Sequence, residues 1–151
     1  MNKFSLDFMS LALDEARKAY DLDEVPVGAI IVQNDEVIGA SFNQVISQNS
    51  VAAHAEINAI FLASQKLENY RLIDCDMYVT LEPCHMCAKA IVDARLKNLF
   101  FGAAEPKTGA IVSVDRFLDA KHLNHRVNYS SGHLETDAAD LLKSFFQSKR
   151  F

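Results

Sequence analysis

Two short motifs between residues 54 and 87 constrain this chain more than any other feature of its sequence. The first, His54-Ala55-Glu56, has the pattern H-x-E, and the second, Pro83-Cys84-His85-Met86-Cys87, has the pattern P-C-x-x-C. One imidazole and two thiolates make three zinc ligands, the number that a catalytic zinc takes, whereas a structural zinc is closed by four. The glutamate is not needed as a ligand and is free to move protons. The motifs therefore predict a zinc hydrolase in which water is the nucleophile.

The helix that begins near the first motif must meet a geometric requirement. His54 and Glu56 do not share a face of a regular helix, so both reach one ion only if the helix begins at, or within a residue or so of, His54. Cys84 and Cys87 are expected at the start of a second helix, where the helix dipole favours thiolates. Zinc lowers the pKa of its water toward about 7, and Glu56 is expected to carry protons from that water to the leaving group. Hydrolysis of an amidine-like carbon with loss of ammonia fits these parts.

Each motif alone has other interpretations. An H-x-E triplet is most often an ordinary helix start, and a C-x-x-C pair is also found in structural zinc sites and redox centres. The flanking Pro83 and the missing thioredoxin-type strand–turn pattern count against a redox pair. A closed structural zinc needs a fourth ligand, for which Cys75 and His85 are available, although neither forms a second spaced pair.

Composition narrows the class of protein. A chain of 151 residues is one domain's worth. Three cysteines are too few for a disulfide scaffold and favour a reducing, cytoplasmic location. No apolar run approaches the ~18 residues that cross a membrane, and the N-terminus lacks signal-peptide features. The net charge of −5 argues against indiscriminate nucleic-acid binding, but residues 81–151 carry ten basic and eight acidic side chains, which leaves a local basic face open.

Hydrophobic periodicity predicts alternating helices and strands. A first helix is expected from its N-cap Ser5 to about Leu22, and a last helix is expected to be capped by Thr136 or Asp137. Strands are expected over residues 25–32, 36–42, 77–81, 97–102 and 126–129, and further helices from 54, from 83 and over 112–118.

The order of these elements predicts the fold. Strand–helix alternation after residue 54 implies a largely parallel sheet covered on both faces, and the hairpin of the first two strands adds an antiparallel edge. We therefore expect an α/β protein, a three-layer α/β/α sandwich with a central mixed five-stranded sheet. The helix after His54 is expected to face the core with Ile57, Ile60, Phe61, Ser64 and Leu67. The last helix is expected to do so with Ala138, Leu141, Leu142, Phe145 and Phe146.

The combined motifs resemble the signature of the zinc-dependent nucleoside deaminases. Further stretches resemble the bacterial tRNA-specific adenosine deaminases: Glu24-Val25-Pro26-Val27-Gly28-Ala29, Asn69-Tyr70-Arg71-Leu72, Leu81-Glu82-Pro83-Cys84, Lys107-Thr108-Gly109-Ala110, Asn124-His125-Arg126-Val127 and Phe145-Phe146. The resemblance covers nearly the whole chain. It implies a single cytidine-deaminase-like domain over residues 1–151.

The resemblance also implies an activity. It implies hydrolytic deamination of the wobble adenosine of a tRNA anticodon to inosine, with zinc-activated water as the nucleophile. One zinc per chain is expected on His54, Cys84 and Cys87, with Glu56 as the proton shuttle. The implied partners are a tRNA anticodon stem-loop and a second copy of the chain in a homodimer, and no membrane.

Four further residues are expected to bind the substrate by this resemblance. Asn43 matches an asparagine that holds the target nucleoside, and Lys107 and Arg150 match positions near the RNA. Glu105 stands where the family usually has Asp, which puts the expected contact to the ribose in doubt. Each also has an ordinary structural interpretation: Asn43 as a turn residue, Lys107 as a solvated loop lysine, and Arg150 as a basic residue at a helix C-terminus.

Two rival functions stay open at the level of sequence. A deaminase of a free base or nucleoside, guanine or cytidine, is mildly favoured by the acidic net charge. An inactive zinc protein that only binds RNA is the other rival, but it has no use for the carboxylate of Glu56.

Overall fold

A computed structural model describes residues 4–149 of the chain. The elements in this part are α1 (Leu6–Asp21), β1 (Gly28–Gln33), β2 (Glu36–Phe42), α2 (Ala55–Leu67), β3 (Cys75–Leu81), α3 (His85–Asp93), β4 (Asn98–Ala103), a short 3₁₀ turn (Phe117–Asp119), β5 (Asn128–Ser130) and α4 (Glu135–Ser148). Among these residues, no helix combines the length and apolar character that crossing a bilayer requires.

The strands form one mixed sheet in the order β2-β1-β3-β4-β5. Strand β1 pairs antiparallel with both of its neighbours, and β3, β4 and β5 run parallel to one another. Residues Asn34 and Asp35 join β1 to β2, both with positive φ, as a type I′ hairpin turn requires. The predicted hairpin and the largely parallel second half are confirmed.

The helices cover both faces of the sheet. Alternate residues of β1 enter different cores, because successive side chains of a strand point to opposite faces. Ile30 packs with Met9 of α1, whereas Ile31 packs in the core that contains Ala59 of α2. Helix α3 contributes to the same core as α2, and α4 packs against α1 and β4 on the opposite side. The predicted three-layer α/β/α sandwich is confirmed.

The buried face of α2 differs from the prediction. Its fully buried residues are Ala55, Glu56, Ala59 and Ala63, whereas Phe61, which was expected in the core, is 61% exposed. A Cβ added at Gly39 of β2 would lie 2.6 Å from the carbonyl oxygen of Ala59, so the helix backbone almost touches the strand. Only small side chains fit at so close a crossing, and the larger apolar residues lie at its flanks.

Three local predictions in the second half are wrong or shifted. Residues 112–118 form no regular helix and contain only the start of the 3₁₀ turn. Helix α4 begins at Glu135 after Leu134, so neither Thr136 nor Asp137 is its cap. Helix α3 has Cys84 as its N-cap, which places Pro83 one residue before the N-cap and not in the first turn of the helix.

Candidate metal centre and substrate cavity

Two helix N-termini bring the three predicted metal ligands together. His54 is the N-cap residue of α2 and Cys84 is the N-cap residue of α3, each with an extended backbone. Neither side chain accepts a capping hydrogen bond from its own helix, which leaves both free to point at a common centre. Cys87 lies in the first turn of α3 and is buried. The prediction that α2 begins within a residue of His54 is confirmed.

The ligand atoms have the spacing of a tetrahedral metal site. The distances to Nδ1 of His54 are 3.6 Å from Sγ of Cys84 and 3.4 Å from Sγ of Cys87. Zinc–sulfur bonds of about 2.3 Å and zinc–nitrogen bonds of about 2.0 Å place such atoms roughly 3.5–3.8 Å apart. One imidazole and two thiolates are also the donors that zinc prefers. These residues therefore fit a zinc ion.

A fourth protein ligand is absent from residues 4–149. All three donor atoms lie within 4.8 Å of one another, and they form the only such group of histidine, cysteine, aspartate and glutamate side chains in that part of the chain. His85 instead pairs with Asp115 at 2.8 Å. Burial raises the pKa of Cys75 to about 11, which keeps it a neutral thiol. The arrangement is that of an open site and not of a closed structural zinc.

Electrostatic coupling prepares Cys84 as a ligand. Hydrogen bonds from Cys87 and from His54, opposed by burial, lower the pKa of Cys84 to about 3. The hydrogen bond with Cys84 also raises the pKa of His54. The thiolate, and not the thiol, is the form of cysteine that binds metals.

Glu56 lies next to the ligand group without belonging to it. Its side chain is buried in the first turn of α2, with the residue only 4% exposed. Burial raises the pKa of this carboxyl to about 7, against smaller lowering effects of its own backbone amide and His54. A carboxyl group of that kind can change protonation state near neutrality, as a general acid–base group must.

A cavity of about 640 Å³ opens beside the metal ligands. Its lining includes His54, Glu56 and Cys84 together with a largely apolar wall of Val25, Val27, Val45, Ile46, Leu81 and Phe145. Volumes of about 300–1,000 Å³ with apolar walls and a few polar groups are usual for small-molecule sites. The cavity is therefore large enough to hold a nucleoside.

Asn43 lines the same cavity and has an unused acceptor. Its amide nitrogen donates to the carbonyl oxygen of Val25 at 3.3 Å, while its buried Oδ1 has no hydrogen-bond partner in the described structure. Buried polar atoms are normally paired, and the partner of such an atom can be an ordered water, an ion or a ligand.

Two other predicted substrate residues, Glu105 and Lys107, lie in one loop after β4. Glu105 lines the cavity, and one of its carboxylate oxygens accepts a hydrogen bond from the backbone amide of Lys107 at 3.1 Å. Lys107 itself is exposed and lines an adjacent groove of about 810 Å³, together with Lys143, Phe146 and Lys149. Arg150 lies outside the described residues.

A buried glutamate beneath the first loop was not assigned by the sequence. Glu24 accepts hydrogen bonds from the backbone amides of Ile46 at 3.0 Å and Ser47 at 2.6 Å. Burial opposes its ionisation, but these hydrogen bonds more than offset that effect and lower the pKa of Glu24. Residues 43–53, which join Asn43 to His54, are thereby tied to the end of α1.

A second buried glutamate, Glu82, likewise accepts hydrogen bonds from the backbone amides of a loop, the one after β4. It accepts hydrogen bonds from four backbone amides and one hydroxyl of residues 105–113. Hydrogen bonds from Ser113 and the amides outweigh burial and lower the pKa of Glu82. Residues 112–118 do not continue from here as a helix, because the amides of Val114 and Phe117 donate to the carbonyls of Gly109 and Ala110 and not to those four residues before them. The sequence shows Glu82 at the end of an apolar strand and within the stretch Leu81-Glu82-Pro83-Cys84, and neither feature indicates this role.

The chain matches a family model over most of its length. Residues 2–150 match the model described as MafB19-like deaminase. A tRNA-specific adenosine deaminase from Agrobacterium fabrum is 47% identical over 143 residues, which are 95% of this chain and 94% of that protein.

Solved structures give the same picture. A structure from studies of A-to-I editing by tRNA:A34 deaminases at the wobble position superposes with a TM-score of 0.88 and 45% identity, over 91% of this chain and 99% of that one. The guanine deaminase from Nitrosomonas europaea has a TM-score of 0.79 over 96% of this chain and 86% of its own, and its 24% identity supports the fold alone. The predicted cytidine-deaminase-like fold is confirmed.

Proposed function

The chain belongs to the MafB19-like deaminases and to the tRNA-specific adenosine deaminases, and we propose that it deaminates the wobble adenosine of a tRNA anticodon to inosine. The observation that carries the proposal is the convergence of His54, Cys84, Cys87 and the buried Glu56 beside one cavity. Three metal donors with a non-ligand carboxylate form the minimal apparatus for hydrolysis by an activated water. The overall reaction adds water to adenosine and releases ammonia.

The imidazole of His54 and the thiolates of Cys84 and Cys87 are proposed to hold one zinc ion. A bound zinc would lower the pKa of a water molecule toward about 7, which makes hydroxide available at neutral pH. The hydrogen bond from Cys87 lowers the pKa of Cys84 and raises the pKa of Cys87, so Cys84 is ionised before a metal binds and Cys87 gives up its proton on binding.

Glu56 is proposed as the proton carrier. The carboxylate would accept a proton from the attacking water, deliver one to the ring nitrogen of the base and assist the departure of ammonia. Its burial keeps bulk water from competing for the proton. Its position outside the ligand group leaves the carboxylate free of the metal for this task.

Asn43 and Glu105 are proposed to hold the target nucleoside from two sides of the cavity. The Oδ1 of Asn43 is buried and has no partner among the described residues, and a rotation of the side chain would turn it toward a donor on the nucleoside. The carboxylate of Glu105 can accept a hydrogen bond from the ribose 2′-hydroxyl, which is the group that distinguishes RNA from DNA. Its bond to the amide of Lys107 occupies one oxygen and leaves the other for the sugar.

The adjacent groove is proposed to take the flanking RNA. It shares Leu81, Glu105 and Lys149 with the cavity, so the two are continuous. Lysines there, including Lys107, supply positive charge for phosphates, and the exposed ring of Phe146 offers a stacking surface for an unpaired base. Arg150 is proposed to add to this charge. A free base such as guanine would leave the groove unused.

Two further expectations remain proposals. The chain is proposed to form a homodimer, which is supported by the exposed apolar side chains of Phe61 and Leu62 on α2, since a second copy would bury them. The reaction is proposed to take place in the cytoplasm, which follows from the tRNA substrate and not from any feature of the fold.

Parallel substrate assays test the proposed function. Zinc-loaded protein is incubated with bulk tRNA, an RNA anticodon stem-loop, free adenosine, cytidine and guanine, and the products are separated by chromatography. We expect inosine in the two RNA substrates and no more than a trace of product from the others, with Glu56→Ala as the inactive control. Efficient turnover of guanine or cytidine with no inosine in RNA would refute the proposal in favour of the free-base alternative.

A further inference from the structure

The carboxylate of Glu82 is a hub of hydrogen bonds beneath the loop of residues 104–113. One oxygen, Oε1, accepts from the amide of Glu105 at 3.0 Å and from the hydroxyl of Ser113. The other, Oε2, accepts from the amides of Ile111, Val112 and Ser113 at 3.0, 2.7 and 2.9 Å. The residue is only 3% exposed although it borders the substrate cavity.

This carboxylate has no capacity left for a substrate. An ionised carboxylate offers about four lone-pair sites, and five donors already point at Glu82. It therefore cannot serve as a second proton carrier or as a direct contact to the nucleoside. Any effect of Glu82 on the substrate must therefore pass through the loop residues to which it is hydrogen-bonded.

The loop held by Glu82 joins the metal centre to the proposed sugar contact. Glu82 is two residues before Cys84, and the backbone of Pro83 adds a second tie by accepting a hydrogen bond from the amide of Ala110 at 2.9 Å. A Cβ at Gly109 would overlap the carboxylate of Glu82, so the loop lies directly on it. The segment that leads to Cys84 and the loop that carries Glu105 are thus joined by these hydrogen bonds.

We propose that Glu82 is a positioning residue that fixes Glu105 at the distance from the metal centre at which it meets the ribose of the target nucleoside. This inference rests on the proposed function for its consequence in catalysis. The ordering of the loop by Glu82 does not depend on which substrate the cavity takes.

The substitution Glu82→Gln distinguishes the contacts of Oε1 from those of Oε2, because it replaces one of the two oxygens by an NH₂ group. With its NH₂ in the place of Oε2, the glutamine would point a donor at three backbone N–H donors. With its NH₂ in the place of Oε1, it would point a donor at the amide of Glu105 alone, because the hydroxyl of Ser113 can rotate and accept a hydrogen bond. The glutamine is therefore expected to keep its contacts to residues 111–113 and to lose the one to Glu105.

Amide hydrogen exchange of the zinc-loaded protein measures this directly. In Glu82→Gln we expect the amide of Glu105 to exchange at least about tenfold faster than in wild type, since this amide has lost its acceptor. The amides of residues 111–113 should exchange within about threefold of wild type. Zinc content should stay unchanged. The matched control is Glu36→Gln, the same change at an exposed carboxylate in β2. It should leave the exchange rates of all amides in the loop unchanged.

A double-mutant cycle tests whether the effect passes through Glu105. With an RNA stem-loop as substrate, Glu82→Gln should raise KM about tenfold and change kcat by less than about threefold. If Glu82 acts by placing Glu105, adding Glu82→Gln to Glu105→Asn should raise KM by no more than about twofold over Glu105→Asn alone. A role in general stability would instead give additive effects.

Several results would overturn the inference. Unchanged exchange at Glu105, additive effects on KM, or loss of zinc from Glu82→Gln would each do so. If Glu82→Gln does not fold, Glu82→Asp is the second variant, because it keeps the charge but shortens the side chain by one methylene. It must show both faster exchange at the amide of Glu105 and a raised KM. If wild type forms no inosine in RNA, the proposed function fails, and the exchange experiment alone decides whether Glu82 orders the loop.

Discussion

Replacing Glu24 by alanine should destabilise the protein by an amount that the structure allows us to work out. Residues 44–50 form a helical turn, in which the amide of Gln48 donates to the carbonyl of Gln44 at 2.9 Å. The first amides of such a turn have no partner within it. Glu24 satisfies two of them, those of Ile46 and Ser47, from a position more than twenty residues away in the sequence.

The expected loss of stability is about 2–3 kcal/mol. An amide that loses its only acceptor in a buried place costs about 1–3 kcal/mol. The side chain of Ile46 is exposed, so water can reach its amide after the carboxylate is removed, and the lower end of that range applies to each of the two amides. The matched control is Glu36→Ala, which removes an exposed ion pair with Lys66 at 3.3 Å and should cost no more than about 0.5 kcal/mol.

The difference between wild type and Glu24→Ala should also depend on pH. The folded-state pKa of Glu24 is lowered from its ordinary value of 4.5. A group with a lowered folded-state pKa contributes stability that is fully present above its unfolded pKa and is lost as pH falls through its folded pKa. The difference should therefore be constant from neutral pH down to about pH 5 and shrink below pH 4.5. Protonation of the metal ligands affects both proteins alike and cancels in the difference.

Urea unfolding followed by circular dichroism, repeated between pH 7 and pH 4, gives the required free energies by linear extrapolation. Zinc-loaded proteins are compared at equal metal concentration, because a ligand that binds only the folded state adds to its stability. A difference below 0.5 kcal/mol at pH 7, or a difference that does not change as pH falls, would refute the assignment of Glu24 as the cap of this turn.

Four other predictions can be checked on the same protein. Metal analysis should find about one zinc per wild-type chain, and Cys87→Ala should lose most of it; full retention would remove Cys87 from the ligand set. Glu56→Ala should keep zinc and fold but lose a factor of ~10²–10⁴ in rate, or roughly 3–5 kcal/mol of barrier, and activity within a few-fold of wild type would place the proton carrier elsewhere. Glu105→Asn should raise activity on a DNA stem-loop relative to the matched RNA, whereas Glu105→Asp should preserve the ratio because a shorter carboxylate can still accept from the amide of Lys107. Light scattering at micromolar concentrations should give the mass of a dimer, and a monomer throughout would contradict the homodimer.

The metal centre could be predicted from sequence because its geometry is local. Each ligand sits within four residues of a helix start, and the requirement that His54 and Glu56 serve one centre places the beginning of α2. The strand pairing of the first hairpin was likewise predictable, since Asn34 and Asp35 are turn residues that tolerate positive φ and lie between two strand patterns. In both cases the decisive information lies within a few residues.

The face of α2 could not be predicted in this way. Periodicity favours the large apolar residues Ile57, Ile60 and Phe61 as the core face, and it gives alanine little weight. The close crossing at Gly39 decides otherwise, because a backbone-to-backbone approach admits only Ala59 and Ala63. That approach is a property of the strand opposite, more than fifteen residues away.

The metal ligands and the proposed substrate contacts differ in the structural elements that carry them. His54, Cys84 and Cys87 sit on helices that pack against the sheet, so their positions depend on the core. Asn43 and Glu105 lie at loops, and each of these loops is held by one buried glutamate that comes from a neighbouring element. A loop of this kind can change its sequence without disturbing the metal as long as its amides still reach the carboxylate. We therefore expect the two glutamates to govern how the cavity meets a substrate, while the metal ligands remain in place when either glutamate is replaced.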